Sequence, residues 1–119
     1  MLTTLKRILI LLALFSATIA QAHSLNLRVG EPILEARSAI LKNGWKPDLS
    51  HIHKPHFGTD NVLIKHKIRE VEACSVDNGS LCILNYKKQG KCLKVFTKGE
   101  QIHDMLVEDW NFGCDVSQK

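Results

Sequence analysis

Nothing in this chain announces a chemistry by motif. There is no G-x-S-x-G elbow to raise a serine nucleophile and no Gly-rich loop to cradle a phosphate. The four cysteines are separated by 7, 9 and 21 intervening residues, so the C-x2-4-C pairs of a structural zinc site are missing. The formal net charge is only +4 and no strong basic stripe runs along the chain, which argues against nucleic acid as a partner. Internal repeats and low-complexity tracts are absent as well. Together these absences leave a small domain without a recognisable cofactor, and none is expected.

What is present begins with an address. Lys6 and Arg7 give a basic start, Ile8 to Ala20 are almost wholly apolar, and "AQA" at residues 20–22 supplies the small residues of a cleavage site. That order is the one a secretory signal peptide follows. The apolar run of about 13 residues is short of the roughly 20 that a membrane-spanning helix needs. The expectation is a signal peptide at residues 1–22, cleaved after Ala22 or alternatively Ala20, ahead of a single domain at 23–119. The product is then periplasmic or secreted, and not an integral membrane protein once processed. Losing Lys6 and Arg7 takes the net charge from +4 to +2.

Behind such a signal, Cys74, Cys82, Cys92 and Cys114 read as two disulfides. "GEPILEARSAILKNGW" predicts one amphipathic helix: Pro32 suits its first turn, Ile33, Ala36, Ala39 and Ile40 recur at helical spacing, Leu34 and Leu41 widen the face, and Gly44 stops it. Residues 48–61 lack any period and predict a long loop. "NVLIKHKIREVEA" fits a helix or a strand, with the helix slightly preferred. "LCILNY" (81–86), "CLKVFT" (92–97) and "MLVEDWNF" (105–112) have strand composition and are separated by turn-like segments. The fold class expected is α+β: one amphipathic helix packed on a C-terminal three-stranded antiparallel β-meander, stapled by disulfides.

Register bears on the cysteines. A first turn centred near Gln89 would put Cys92 opposite Tyr86, away from Cys82. A second turn centred between Gln101 and Ile102 would put Cys92 opposite Asn111, close to Cys114. Asn78-Gly79 turns the chain between Cys74 and Cys82. The economical pairing is Cys74–Cys82 with Cys92–Cys114, and the two other pairings stay open.

"GEPILEARSAILKNGWKP", then "EVEACSVDNGSLCILNY", "GKCLKVFTKGE" and a tryptophan in the last strand resemble a group of uncharacterised small bacterial secreted or periplasmic proteins. In these, a helix ending in Gly-Trp-x-Pro precedes a Cys-Ser-Gly-Thr-Gly-like turn closed by a second cysteine. The resemblance runs from about Val29 to Trp110 and implies a fold and a compartment, with no activity attached. "CSVDNGSLC" departs from the small turn, and Cys92 and Cys114 are additions to the usual single bridge.

The segment most suggestive of chemistry is "LSHIHKPHFG". In extended chain, His51 and His53 fall on one side about 6–7 Å apart, close enough to share Zn²⁺ or Cu²⁺, and Pro55 could return His56 toward them. Lys54 puts a positive charge inside the cluster, and the reading favoured over a metal site is a solvated loop. Catalysis finds no comparable support: all four cysteines are expected to be oxidised, and Glu108 and Asp109 are neighbours on a strand and face opposite ways. The function expected is a non-enzymatic binding module, of the inhibitor or immunity type for example, with an envelope or secreted protein as partner. Its expected surface is the 48–60 loop with the basic hairpin tip, that is His51, His53, Lys54, His56, Lys87, Lys88 and Lys91. The rival classes are a histidine-loop metal-binding protein and, last, a small envelope hydrolase.

Overall fold

The computed structural model describes residues 24–76 and 79–114. The expected signal peptide and the Asn78 half of the expected turn lie outside them. Helix α1 (Ile33–Lys42) opens after Pro32, whose extended backbone leads into the first turn, and buries Ile33, Ala36 and Ile40 completely. Each large aliphatic side chain so buried contributes about 1.5–3 kcal/mol. Leu34, expected on the apolar face, is 51% exposed, because the face is centred on the 33–36–40 row. The helix ends in a Schellman motif. Gly44 takes φ +87°, its N–H donates to Leu41 O, and the Trp45 N–H donates to Ile40 O, which lays Trp45 on the core beside Ile40.

The segment that read as helix or strand is both in succession. Thr59–Lys65 forms α2, which the left-handed Lys67 (φ 63°) terminates, and Val71–Cys74 forms strand β2. With the two-residue β1 (Lys46–Pro47), β3 (Leu81–Lys88), β4 (Lys91–Lys98) and β5 (Leu106–Phe112), the sheet has five antiparallel strands. One helix on three strands was therefore too small an expectation. The two extra strands are short, and both lie along one edge of β3, at Lys87 and Tyr86 for β1 and between Cys82 and Leu84 for β2.

The hairpin between β3 and β4 turns on Gln89 and Gly90, with φ 48° and 76°. Two positive φ values in a two-residue loop match the twist of the flanking strands. That tight turn pairs Lys88 with Lys91 and puts Cys92 opposite Lys87, one residue from the expected Tyr86. A short 3-10 turn (Ile102–Asp104) precedes β5, and a bulge at Glu108 shifts the β4–β5 register, so Leu93 faces Phe112 where the even count expected Cys92 opposite Asn111. The disulfides are nonetheless Cys74–Cys82 and Cys92–Cys114. Among the described residues, no helix is long and apolar enough to cross a membrane.

One face of the sheet carries Cys82, Leu84 and Tyr86 of β3, Leu93, Val95 and Thr97 of β4, and Val107 of β5, all buried beneath α1 and its flanking segments. Into this apolar layer the chain inserts a carboxylate. Glu70 is 1% exposed; the Arg37 Nε donates to its Oε1 at 2.5 Å, the Arg37 Nη2 to Oε2 at 3.4 Å, and the Tyr86 hydroxyl to Oε1 at 2.9 Å. Burial works to lower the Arg37 pKa, but the hydrogen bond and charge of Glu70 outweigh it and the net direction is upward. The Tyr86 phenol is pushed well above its ordinary range by burial first and by the Glu70 charge second.

Two outcomes are expected from this arrangement. Arg37→Met leaves the Glu70 charge buried without its partner and should cost about 3–5 kcal/mol of stability in urea denaturation. Adding Glu70→Gln removes the stranded charge, so the double variant should be more stable than Arg37→Met alone; equal or lower stability would contradict the account. The second check uses the chain's single tyrosine. Its folded pKa lies above the unfolded value of about 10, so the stability it contributes is whole below that pH and is lost as pH rises through the folded pKa. An ultraviolet absorbance titration should show Tyr86 ionising only together with alkaline unfolding. Ionisation near pH ~10 in a chain that keeps its circular dichroism would refute it.

Candidate functional site

The opposite face of the sheet is where the polar side chains gather, and alternation explains which ones. Asn85 and Lys87 are two of the odd positions of β3, and Cys92 and Lys94 two of the even positions of β4; Asn85 pairs with Lys94 and Lys87 with Cys92 in the ladder. A bulge between Val71 and Ala73 places Glu72 on the same side, within 3.6 Å of the Lys94 ammonium. The chain leaving β1 then passes beside this face, held by the Asp48 N–H donating to Asn85 O at 2.9 Å.

A cleft of about 380 Å³ opens here, between residues 48–51, the β3–β4 hairpin and the Cys92–Cys114 bridge. That size suits a small ligand or a few residues of a chain. Three lysines, Lys87, Lys91 and Lys94, line it against one carboxylate, Asp48. Asp48 accepts the Ser50 N–H at 3.0 Å and stands 3.5 Å from the Lys87 ammonium. Burial raises its pKa, but the Ser50 hydrogen bonds and the Lys87 charge more than compensate and hold it below the ordinary value. At the base sits Asn85, 8% exposed, whose Oδ1 is buried with no hydrogen-bond partner. An unpaired buried amide oxygen costs about 1–3 kcal/mol.

The histidine segment is anchored where a solvated loop was expected. His51 is 8% exposed; its Nε2 lies 3.3 Å from Glu72 Oε1 and its Nδ1 3.3 Å from Ser50 Oγ. His56 bridges Asp60 Oδ2 at 3.2 Å and the His51 carbonyl at 3.1 Å. His53 and Lys54 are exposed. The three imidazoles thus serve different partners, and among the described residues no three His, Cys, Asp or Glu side chains stand together in a way that could hold a metal ion. Of the seven residues expected to form a binding surface, His51, Lys87 and Lys91 line the cleft. Lys88 turns to the other side, donating to Asn43 O at 2.5 Å and so satisfying a carbonyl at the end of α1.

Asn85, Lys94 and Glu72 were not singled out in the sequence as site residues. Asn85 and Lys94 were within reach, because strand alternation puts them on the Lys87 side once the hairpin register is known. Glu72 was not, since it reaches this side only through a bulge. Trp45 is a core residue at 7% exposure, stacked in tilted contact with Phe112 at 5.9 Å. No family model, no curated protein and no solved structure matches this chain, so the site rests on its own geometry.

Proposed function

We propose that this protein is a non-enzymatic binding module of the periplasm or the extracellular medium, contacting an envelope or secreted protein through the cleft between residues 48–51 and the β3–β4 hairpin. The observation that carries the reading is the meeting of His51, Lys87 and Lys91, from two distant parts of the chain, around an excess of positive charge. Two disulfides suit an oxidising compartment, in keeping with the signal-like residues 1–22 and with the motif likeness to small secreted proteins. An inhibitor or immunity protein is the version that needs no more than such a surface. A rigid sheet under two loops is a common way to hold binding groups in place.

One observation favours a second reading, a small hydrolase. Ser50 Oγ, His51 and Glu72 stand in a row at 3.3 Å per step, a hydrogen bond between the first two and an ion-pair contact between the last two, in the order of nucleophile, base and orienting acid. It ranks lower because Ser50 and His51 are chain neighbours, so their contact follows from connectivity, and Glu72 divides its charge between His51 and Lys94.

The test is retention of an envelope protein on the immobilised mature domain, compared with Lys87→Glu/Lys91→Glu. Charge reversal at the cleft mouth should abolish retention while circular dichroism stays unchanged. Retention that ignores the reversal, or no retained protein, would sink the reading. Ester hydrolysis lost in Ser50→Ala would establish the hydrolase in its place.

A further inference from the structure

Deepening that reading and resting on it, we infer that the protein partner presents an acidic segment whose large apolar side chain, an aromatic one by preference, seats in a second cleft at the hairpin. This cleft, about 360 Å³, adjoins the first at Lys91, which lines both, and its size suits one such side chain with a little backbone.

Strand alternation accounts for the apolar floor. Phe112 stands opposite Leu93 in the β4–β5 ladder, and Leu93 is 1% exposed, so both belong to the core side of the sheet. Helix α1 runs over that side only as far as Lys42, and the chain then turns at Gly44. Phe112, the last residue of β5, is left 58% exposed with Trp45 beside it, the ring planes 45° apart. Its position follows the core pattern, yet the core does not cover it. Apolar exposed side chains standing singly are ordinary. Here Phe112 shares a concavity with Trp45 and Leu25, the setting in which a partner's side chain becomes an anchor. Aromatic rings prefer tilted and offset contacts, so a third ring extends the cluster in the way that the first two meet.

The rim supplies the charge. Lys88 and Lys91 line the second cleft, and no carboxylate does. Lys88 is committed to Asn43 O, whereas Lys91 is exposed and makes no ion pair among the described residues. Lys46 and Lys87, paired across β1 and β3, are exposed at the same end of the sheet. Asp48, the carboxylate of the first cleft, already stands beside Lys87. An acidic segment is drawn to this rim before its side chain is seated, and a basic one is repelled. The apolar surface is concave, which favours a side chain over a bilayer surface as the occupant.

The test uses defined peptides. The purified protein, labelled with nitrogen-15, is titrated with a capped pentapeptide carrying phenylalanine between two pairs of glutamates. The comparison probes are the same peptide with a central alanine, the phenylalanine peptide with lysines for glutamates, and vesicles of equal parts phosphatidylcholine and phosphatidylglycerol. The phenylalanine–glutamate peptide should shift the amides of residues 43–45, 88–91 and 111–113 in a saturable way. The alanine peptide should bind at least about tenfold more weakly, from the apolar area it fails to bury. The lysine peptide should be weaker by about tenfold or more. Phe112→Ala, a change at an exposed ring, should weaken the phenylalanine peptide about tenfold and leave the alanine peptide as it was. A loosened fold would not produce that difference. Lys91→Glu should weaken both acidic peptides alike. The inference falls if the two acidic peptides bind equally, if Phe112→Ala weakens both to the same extent, if the lysine peptide matches the glutamate one, or if nothing saturates. It falls as well if the vesicles shift these amides and the phenylalanine peptide does not displace them, which would assign the surface to anionic lipid. Should envelope retention still depend on Lys87 and Lys91 when the peptides fail, the protein-binding reading stands and only the anchor is lost.

Discussion

The architecture depends on how one carboxylate is kept out of water. Glu70 lies in the link between α2 and β2, yet its side chain is inside, answered by Arg37 of α1 and Tyr86 of β3. Its own backbone carbonyl accepts from Asn85 N at 3.0 Å, so side chain and main chain both fix the 66–70 link against the sheet. A buried ion pair of this kind is weak evidence of net stabilisation, because desolvation offsets most of the Coulombic gain. Its effect here is positional. Helix, link and central strand must all be in place before the charge is matched, and misplacing any of them leaves it bare.

That positioning is what creates the opposite side. Residues 84–86 of β3 point alternately into the core and out of it: Leu84 and Tyr86 inward, Asn85 outward. The same strand that meets Glu70 on one side therefore presents the cleft amide on the other. Asn85 also bonds the main chain of Glu70 and of Asp48, one from each short edge strand's vicinity. The cleft thus inherits its rigidity from the core, and its charge from the lysines that the hairpin carries past it.

How far the sequence could be read follows from the range of the interactions involved. Helix α1 was legible because its periodicity, its Pro32 start and its Gly44 stop are all local. The disulfide pairing was legible too, though the registers behind it were off by one and two residues; a cysteine near the end of a strand tolerates such a slip. The first turn was placed at Gln89, half a residue short of the Gln89-Gly90 pair that makes it, and the Glu108 bulge was not visible because it leaves no pattern in the alternation that precedes it. The histidine segment is anchored where the sequence suggested a solvated loop because its contacts leave no periodic trace: His56 is held locally by Asp60 and the His51 carbonyl, and the remaining contact, Glu72, lies 21 positions beyond His51. Glu70 gave no warning at all. Next to Arg69 and Glu72 in "REVE" it reads as one more charge on a solvated segment, and only the tertiary partner Arg37, 33 positions away, makes it a core residue.

The outer strands carry a further consequence. An open edge is a template on which another chain can extend the sheet. β3 has its free side taken up by β1 and β2, each too short to offer much of a template in turn. On β5, Gly30 and Ile33 donate to Val107 and Met105 at one end, and the Glu108 bulge with the exposed Glu108 and Asp109 breaks the rest. Both margins of the sheet are therefore poor sites for strand addition, which protects the chain from self-templated aggregation and leaves its faces, not its edges, as the surfaces open to recognition.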